Sequence, residues 1–146
     1  MIEGDCRTKI ERIGKQGYNN GMNEFHLKHP AKPSFAVLLN QLMIKKNKNA
    51  PEVYKAAWMD RRVFSRIANL NELHLPSKTN AIAIALALKC DEKESKMLIK
   101  RAGYILTHGL AFDRVILMCI EEKIYDIAIV NQRLETLGLK PINVLR

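Results

Sequence analysis

The sequence predicts an all-α fold, an orthogonal helical bundle of about seven helices. Three observations lead there. Apolar residues recur at helical spacing in successive short segments, and no stretch of useful length alternates with the period of a strand. Ser, Asn or Asp stands before nearly every such segment, and these side chains accept hydrogen bonds from the free N–H groups of a first helical turn. One segment, residues 80–89, is apolar on every side, as suits a helix buried at the centre of a bundle.

The elements follow in order. Residues 1–33 form a basic, partly irregular arm broken by Gly14, Gly17, Gly21, Pro30 and Pro33. Within it, Asp5 is expected to cap a short helix through Lys15, with Cys6, Ile10 and Ile13 on one side. The helical domain is expected over residues 34–146. Ser34 caps a helix with Phe35, Val37, Leu38, Leu39, Leu42 and Met43 as its apolar positions. That helix ends in Lys45-Lys46-Asn47-Lys48-Asn49, whose lysines complement the helix dipole and are also available to phosphate. Asn49, with Glu52 three residues on, reads as a capping box, and Pro51 is tolerated in the first turn.

Asp60 caps the next helix. Residues 69–78 are a loop holding Pro76, with Ser77 or Thr79 capping the apolar helix that follows. Asp91 caps a helix over residues 92–101 with Met97, Leu98 and Ile99 inward, and Gly103 suits its C-terminal end. After a loop over 104–112, Asp113 opens a helix through Lys123 that carries Val115, Ile116, Leu117, Cys119 and Ile120. Asp126 opens the last helix, through Leu137, which Gly138 ends and Pro141 cannot extend.

A length of 146 residues favours one domain with an extended arm. A domain near this size buries roughly 68–70% of its unfolded surface and folds without disulfides. Cys6, Cys90 and Cys119 are odd in number and far apart, as expected of free thiols in a reducing compartment. No apolar run approaches the ~18 residues of a bilayer span, and no signal-peptide core stands at the N-terminus. The expectation is a cytoplasmic protein with no membrane association. Net charge is +9, which suits a polyanionic partner, and residues 1–50 carry +5 of it.

The most informative stretch is residues 53–67, Val53-Tyr54-Lys55-Ala56-Ala57-Trp58-Met59-Asp60-Arg61-Arg62-Val63-Phe64-Ser65-Arg66-Ile67. Its apolar positions, Val53, Ala57, Met59, Phe64 and Ile67, suit two short helices joined by a tight turn, a helix-turn-helix over residues 50–69. The outer face of the second helix carries Arg61, Arg62, Ser65 and Arg66, and a docked helix with a basic outer face is how such motifs enter the DNA major groove.

The core from Ser34 to about Met97 resembles the five-helix domain of phage-repressor-type (lambda repressor/Xre-like) helix-turn-helix proteins. The residues that carry this are the motif over 53–67, then Pro76-Ser77, the apolar helix Ala81–Leu88 and the turn Lys89-Cys90-Asp91-Glu92. From Ser34 to Ile142 the chain is also similar to an uncharacterised helical domain found C-terminal to bacterial macro domains. The shared features are Val53-Tyr54-Lys55, Asp60-Arg61, Phe64-Ser65, Pro76-Ser77-Lys78-Thr79, Ala81-Ile82-Ala83, Ala102-Gly103-Tyr104 and Ile124-Tyr125-Asp126-Ile127. The repressor resemblance implies DNA binding, and it makes residues 112–138 two extra C-terminal helices beyond a divergent repressor-like core.

Two departures from the repressor pattern are visible. Tyr54 stands where a small residue is usual, and Trp58 stands in the turn where Gly is usual. A Trp held at positive φ costs about 1 kcal/mol or more, so an altered turn is expected.

The candidate DNA-binding residues are therefore Arg61, Arg62, Ser65 and Arg66, with Lys55 and Lys78 as further phosphate contacts. A solvated charged face is the competing account of the same residues. Tyr54 and Trp58 stack on bases or, in the simpler account, pack against each other. Cys6, His26 and His29 fall short of the four ligands of a structural zinc site. His108 and Cys119 lack a third member for nucleophilic chemistry, and neither a glycine-rich phosphate loop nor an HExxH motif is present. No metal, no cofactor and no enzymatic activity are expected. The two C-terminal helices either form a homodimer interface or complete the monomer core. The expectation is a sequence-specific DNA-binding transcriptional regulator acting on double-stranded DNA. The alternative is a protein-interaction module, an antitoxin-like, adaptor or anti-defence protein that reuses the helix-turn-helix fold.

Overall fold

A computed structural model describes residues 34–143, and among these every regular element is a helix. In chain order they are α1 (Phe35–Lys45), α2 (Ala50–Ala56), α3 (Arg61–Ala68), α4 (Lys78–Ala87), α5 (Glu92–Arg101), α6 (Ala111–Glu121) and α7 (Ile127–Thr136). The expected Asp5-capped helix and the trio Cys6, His26 and His29 lie outside the described residues.

Six of the seven helices start on a side-chain cap. The side chains of Ser34, Asn49, Asp60, Ser77, Asp91 and Asp126 each accept a first-turn N–H, and those of Asn49 and Asp91 complete capping boxes with Glu52 and Glu94. Ser77, not Thr79, caps α4, so that helix starts two residues before the expected position. Asp113 does not cap α6. The N-cap is Leu110, without a side-chain bond, and Asp113 lies in the first turn with no exposed surface.

Six helices also end alike. After α1, α2, α4, α5, α6 and α7 one residue takes positive φ, and the next N–H reaches back five residues, closing a Schellman turn. Only two of those positive-φ residues are glycines, Gly103 and Gly138; the others are Asn47, Trp58, Lys89 and Lys123. Trp58, at φ 53°, thus keeps the left-handed turn between α2 and α3, where the sequence led to expect an altered one. Its N–H meets the Lys55 carbonyl at 3.2 Å, and the Met59 N–H meets the Tyr54 carbonyl at 2.9 Å. The Trp58 side chain packs against the core, which offsets the conformational cost.

Helix α4 is the hub. Ala81 to Leu88 are all buried, and its alanines let α2 and α5 approach closely. Helix α1 lies against α3 and α5, and α6 pairs with α7. Val115, Ile116, Ile120, Ile127, Val130 and Leu134 belong to the same core as Leu39, Val53 and Ile84. The buried faces of the two C-terminal helices therefore complete the core of the single chain. Met97 is a correction: it is 40% exposed, because the buried stripe of α5 runs through Ser95, Leu98, Ile99 and Ala102, and position 97 falls opposite it.

Asparagines tie distant segments together. Asn131 on α7 exchanges two hydrogen bonds with the backbone of Ile142. Asn143 then donates to the Ala57 carbonyl at 3.1 Å, so the chain beyond α7 returns to the turn between α2 and α3.

Candidate nucleic-acid interface

Helix α3 is short and strongly two-sided. Phe64 and Ile67 are buried and Val63 and Ala68 partly so, while Arg61, Arg62, Ser65 and Arg66 are all exposed. At 100° per residue the outer positions span an arc of about 140°, with Ser65 and Asn69 near its middle and arginines on both flanks. Asn69 was not among the sequence candidates, although the four-residue step from Arg61 through Ser65 leads to it.

Three contacts hold this helix. The Asp60 carboxylate caps its start through the Arg62 N–H at 2.7 Å. Tyr54 and Phe64 meet ring to ring at 6.0 Å, which couples α2 to α3 and answers why a large residue stands at position 54. The far end of α3 lacks a Schellman turn. There the Asn40 side chain on α1 donates to the Ala68 carbonyl at 3.2 Å, and to its own helix at Ala36 at 2.7 Å. Asn40 thus fixes where α3 stops, a role carried by contacts across 28 residues of chain.

Between α2 and α3 runs an open groove of about 800 Å³. Its floor includes Pro51, Tyr54 and Phe64, and its rim carries Arg61, Arg62 and Arg66. The ion pairs among the described residues engage Lys45, Lys46, Lys48, Lys78, Lys96 and Arg133, and none of these three arginines. One Arg66 nitrogen lies 3.4 Å from Nδ1 of His74 in the following loop. The groove is therefore a concentration of cationic, hydrogen-bond-donating groups over an apolar floor, open to solvent.

The other candidates divide. Lys55 is exposed on α2 and absent from those ion pairs. Lys78 is engaged elsewhere: its Nζ lies 2.9 Å from the fully buried Asp113 carboxylate. Of the lysines after α1, Lys45 and Lys46 both bind Glu94, at 2.7 and 2.9 Å. Burial pushes the Glu94 carboxyl up, but the hydrogen bonds from Lys45 and Lys46 outweigh it and hold its pKa at about 2. Burial pushes the Cys90 thiol up to about 12 and raises that of Cys119, which disfavours the thiolate form of both. His108 sits in an exposed loop. No cluster of three or more His, Cys, Asp or Glu suited to a metal is present among the described residues. No helix there is long and apolar enough to cross a membrane.

No protein-family model, curated protein or solved structure matches the chain.

Proposed function

We propose that this protein is a non-enzymatic, sequence-specific DNA-binding regulator of helix-turn-helix type. The observation that carries the reading is the arginine-rimmed groove along α3: three guanidinium groups outside the ion pairs among the described residues, on a helix docked by its opposite face. An α-helix with its side chains is about 10–12 Å across, which a major groove about 12 Å wide admits. In this arrangement Arg61, Arg62 and Ser65 face base edges and phosphates, and Arg66 meets a guanine edge or a phosphate. Lys55 on α2 adds a phosphate contact. The groove beside α3 receives one strand of the phosphate backbone. Lys78 has a structural role in this account, because moving it would strand a buried carboxylate.

Fluorescence anisotropy with a labelled duplex tests this. Affinity should fall log-linearly with salt, and R61E/R62E/R66E should bind at least about a hundredfold more weakly with an unchanged helical spectrum. Equal binding by wild type and variant would remove α3 from the interface. Absence of binding at low salt, together with a stoichiometric protein partner free of nucleic acid, would favour the protein-interaction module instead.

A further inference from the structure

The segment after α7 folds back along the molecule. Gly138, at φ 72°, turns the chain, and the Leu139 N–H reaches the Leu134 carbonyl at 2.9 Å. Asn131, buried on α7, then holds the returning backbone. Its amide donates to the Ile142 carbonyl at 2.8 Å, and its own carbonyl accepts the Ile142 N–H at 2.6 Å. Ile142 has no exposed surface, and backbone groups buried this deeply need partners. A single asparagine supplies both.

Asn143 comes next, at φ 39°, and its amide donates to the Ala57 carbonyl at 3.1 Å. Ala57 is the fully buried C-cap of α2. The turn after it satisfies the carbonyls of Tyr54 and Lys55 from within, whereas the donor for Ala57 arrives from 86 residues away. The following residue is Trp58, at φ 53°. A left-handed conformation of this kind persists where the surrounding structure holds it. Helices α6 and α7 pack chiefly on each other, with α5 beside α6. The bond from Asn143 is therefore a direct link from the C-terminal pair to the turn of the helix-turn-helix.

We propose that residues 137–143 are a strap that positions the helix-turn-helix, with Asn131 as its anchor and Asn143 as the contact to the turn. Asparagine suits the second duty twice over: it enters the left-handed region more readily than most residues, and its amide donates. The strap fixes the exit of α2 and so the direction in which α3 leaves the turn. The coupling stands on these bonds alone. Its consequence for DNA rests on the DNA-binding reading, in which Asn131 and Asn143 are positioning residues that set how α3 meets the groove.

Trp58 is the one tryptophan of the chain and follows Ala57 directly, so its fluorescence reports the turn without DNA. Asn143→Gly keeps the left-handed backbone and deletes the bond to Ala57. In the full chain it should shift Trp58 emission to the red and raise its quenching by acrylamide, with an unchanged helical spectrum. Asn131→Ala, which frees Ile142, should do the same to a greater degree. On duplex DNA, Asn143→Gly should bind the selected sequence about tenfold more weakly, with affinity for random duplex and the salt slope both retained. Trp58 emission and quenching identical to wild type in Asn143→Gly overturn the coupling, whether or not the chain binds DNA. A shifted Trp58 with undiminished discrimination between selected and random duplex overturns the positioning role. A wild type that binds no duplex removes the DNA-binding reading, and the fluorescence still decides the strap.

Discussion

The Nζ of Lys78, at the first position of α4, lies 2.9 Å from the carboxylate of Asp113, a residue 35 positions later and fully buried in the first turn of α6. The same carboxylate accepts the Thr107 N–H at 3.0 Å, so one buried anion joins two helices and a loop. Removing either partner strands the other. Asp113→Ala and Lys78→Ala should each cost about 3 kcal/mol in urea denaturation, and the double variant should cost clearly less than their sum. Additive losses would show that the pair is not coupled.

The three helix ends closed by Lys89, Lys123 and Gly103 offer a test of backbone conformation alone. Lys89 and Lys123 are exposed and sit at φ 53° and 58°. Lys89→Gly and Lys123→Gly should each raise stability by about 0.5–1 kcal/mol, since relief of left-handed strain exceeds the added freedom of the unfolded chain. Gly103, at φ 93° with open space around it, behaves oppositely. Gly103→Ala should lower stability by about 1 kcal/mol with nothing for its methyl to strike. Thermal unfolding of the three variants checks both signs.

Glu94 sets the acid limb of stability. Its folded pKa of about 2 lies below that of a free carboxyl, so its contribution is complete above about pH 5 and disappears as pH falls toward 2. Lys45 is largely exposed, so solvent screening reduces the effect. Glu94→Gln should cost roughly 2 kcal/mol at pH 7 and flatten the loss of stability between pH 5 and 2. An unchanged acid limb in that variant would assign the dependence to other carboxyls.

What was legible in the sequence was local. A cap and its target N–H are two or three residues apart, so Ser34, Asn49, Asp60, Asp91 and Asp126 could be identified from their neighbours. The outer face of α3 followed from periodicity in the same way. Asp113 reads as a cap because a carboxylate stands ahead of an apolar run, whereas its partners arrive from a loop and from Lys78 on another helix. Asn40 and Asn143 gave no signal at all, because their partners, Ala68 and Ala57, are 28 and 86 residues away. The turn at Trp58 shows a preference overridden: glycine is the easier choice there, yet the hydrogen bonds to the Lys55 and Tyr54 carbonyls and the packing of the indole hold the tryptophan in place.

Asn40 positions α3 without lying on its outer face. Asn40→Ala leaves the Ala68 carbonyl without that donor and should cost about 1–2 kcal/mol of stability. If α3 reads DNA, the same change should also weaken specific binding more than nonspecific binding, with the salt dependence retained. Competition titrations with selected and random duplexes measure the two terms separately.

The most direct test of the central claim is selection from a random-sequence duplex pool by the full chain, at two salt concentrations. The account predicts an enriched motif, affinity that falls log-linearly with salt, and loss of both in R61E/R62E/R66E. Retention of no sequence above background at low salt would contradict it, and the arginine face of α3 would then have to serve a partner other than DNA.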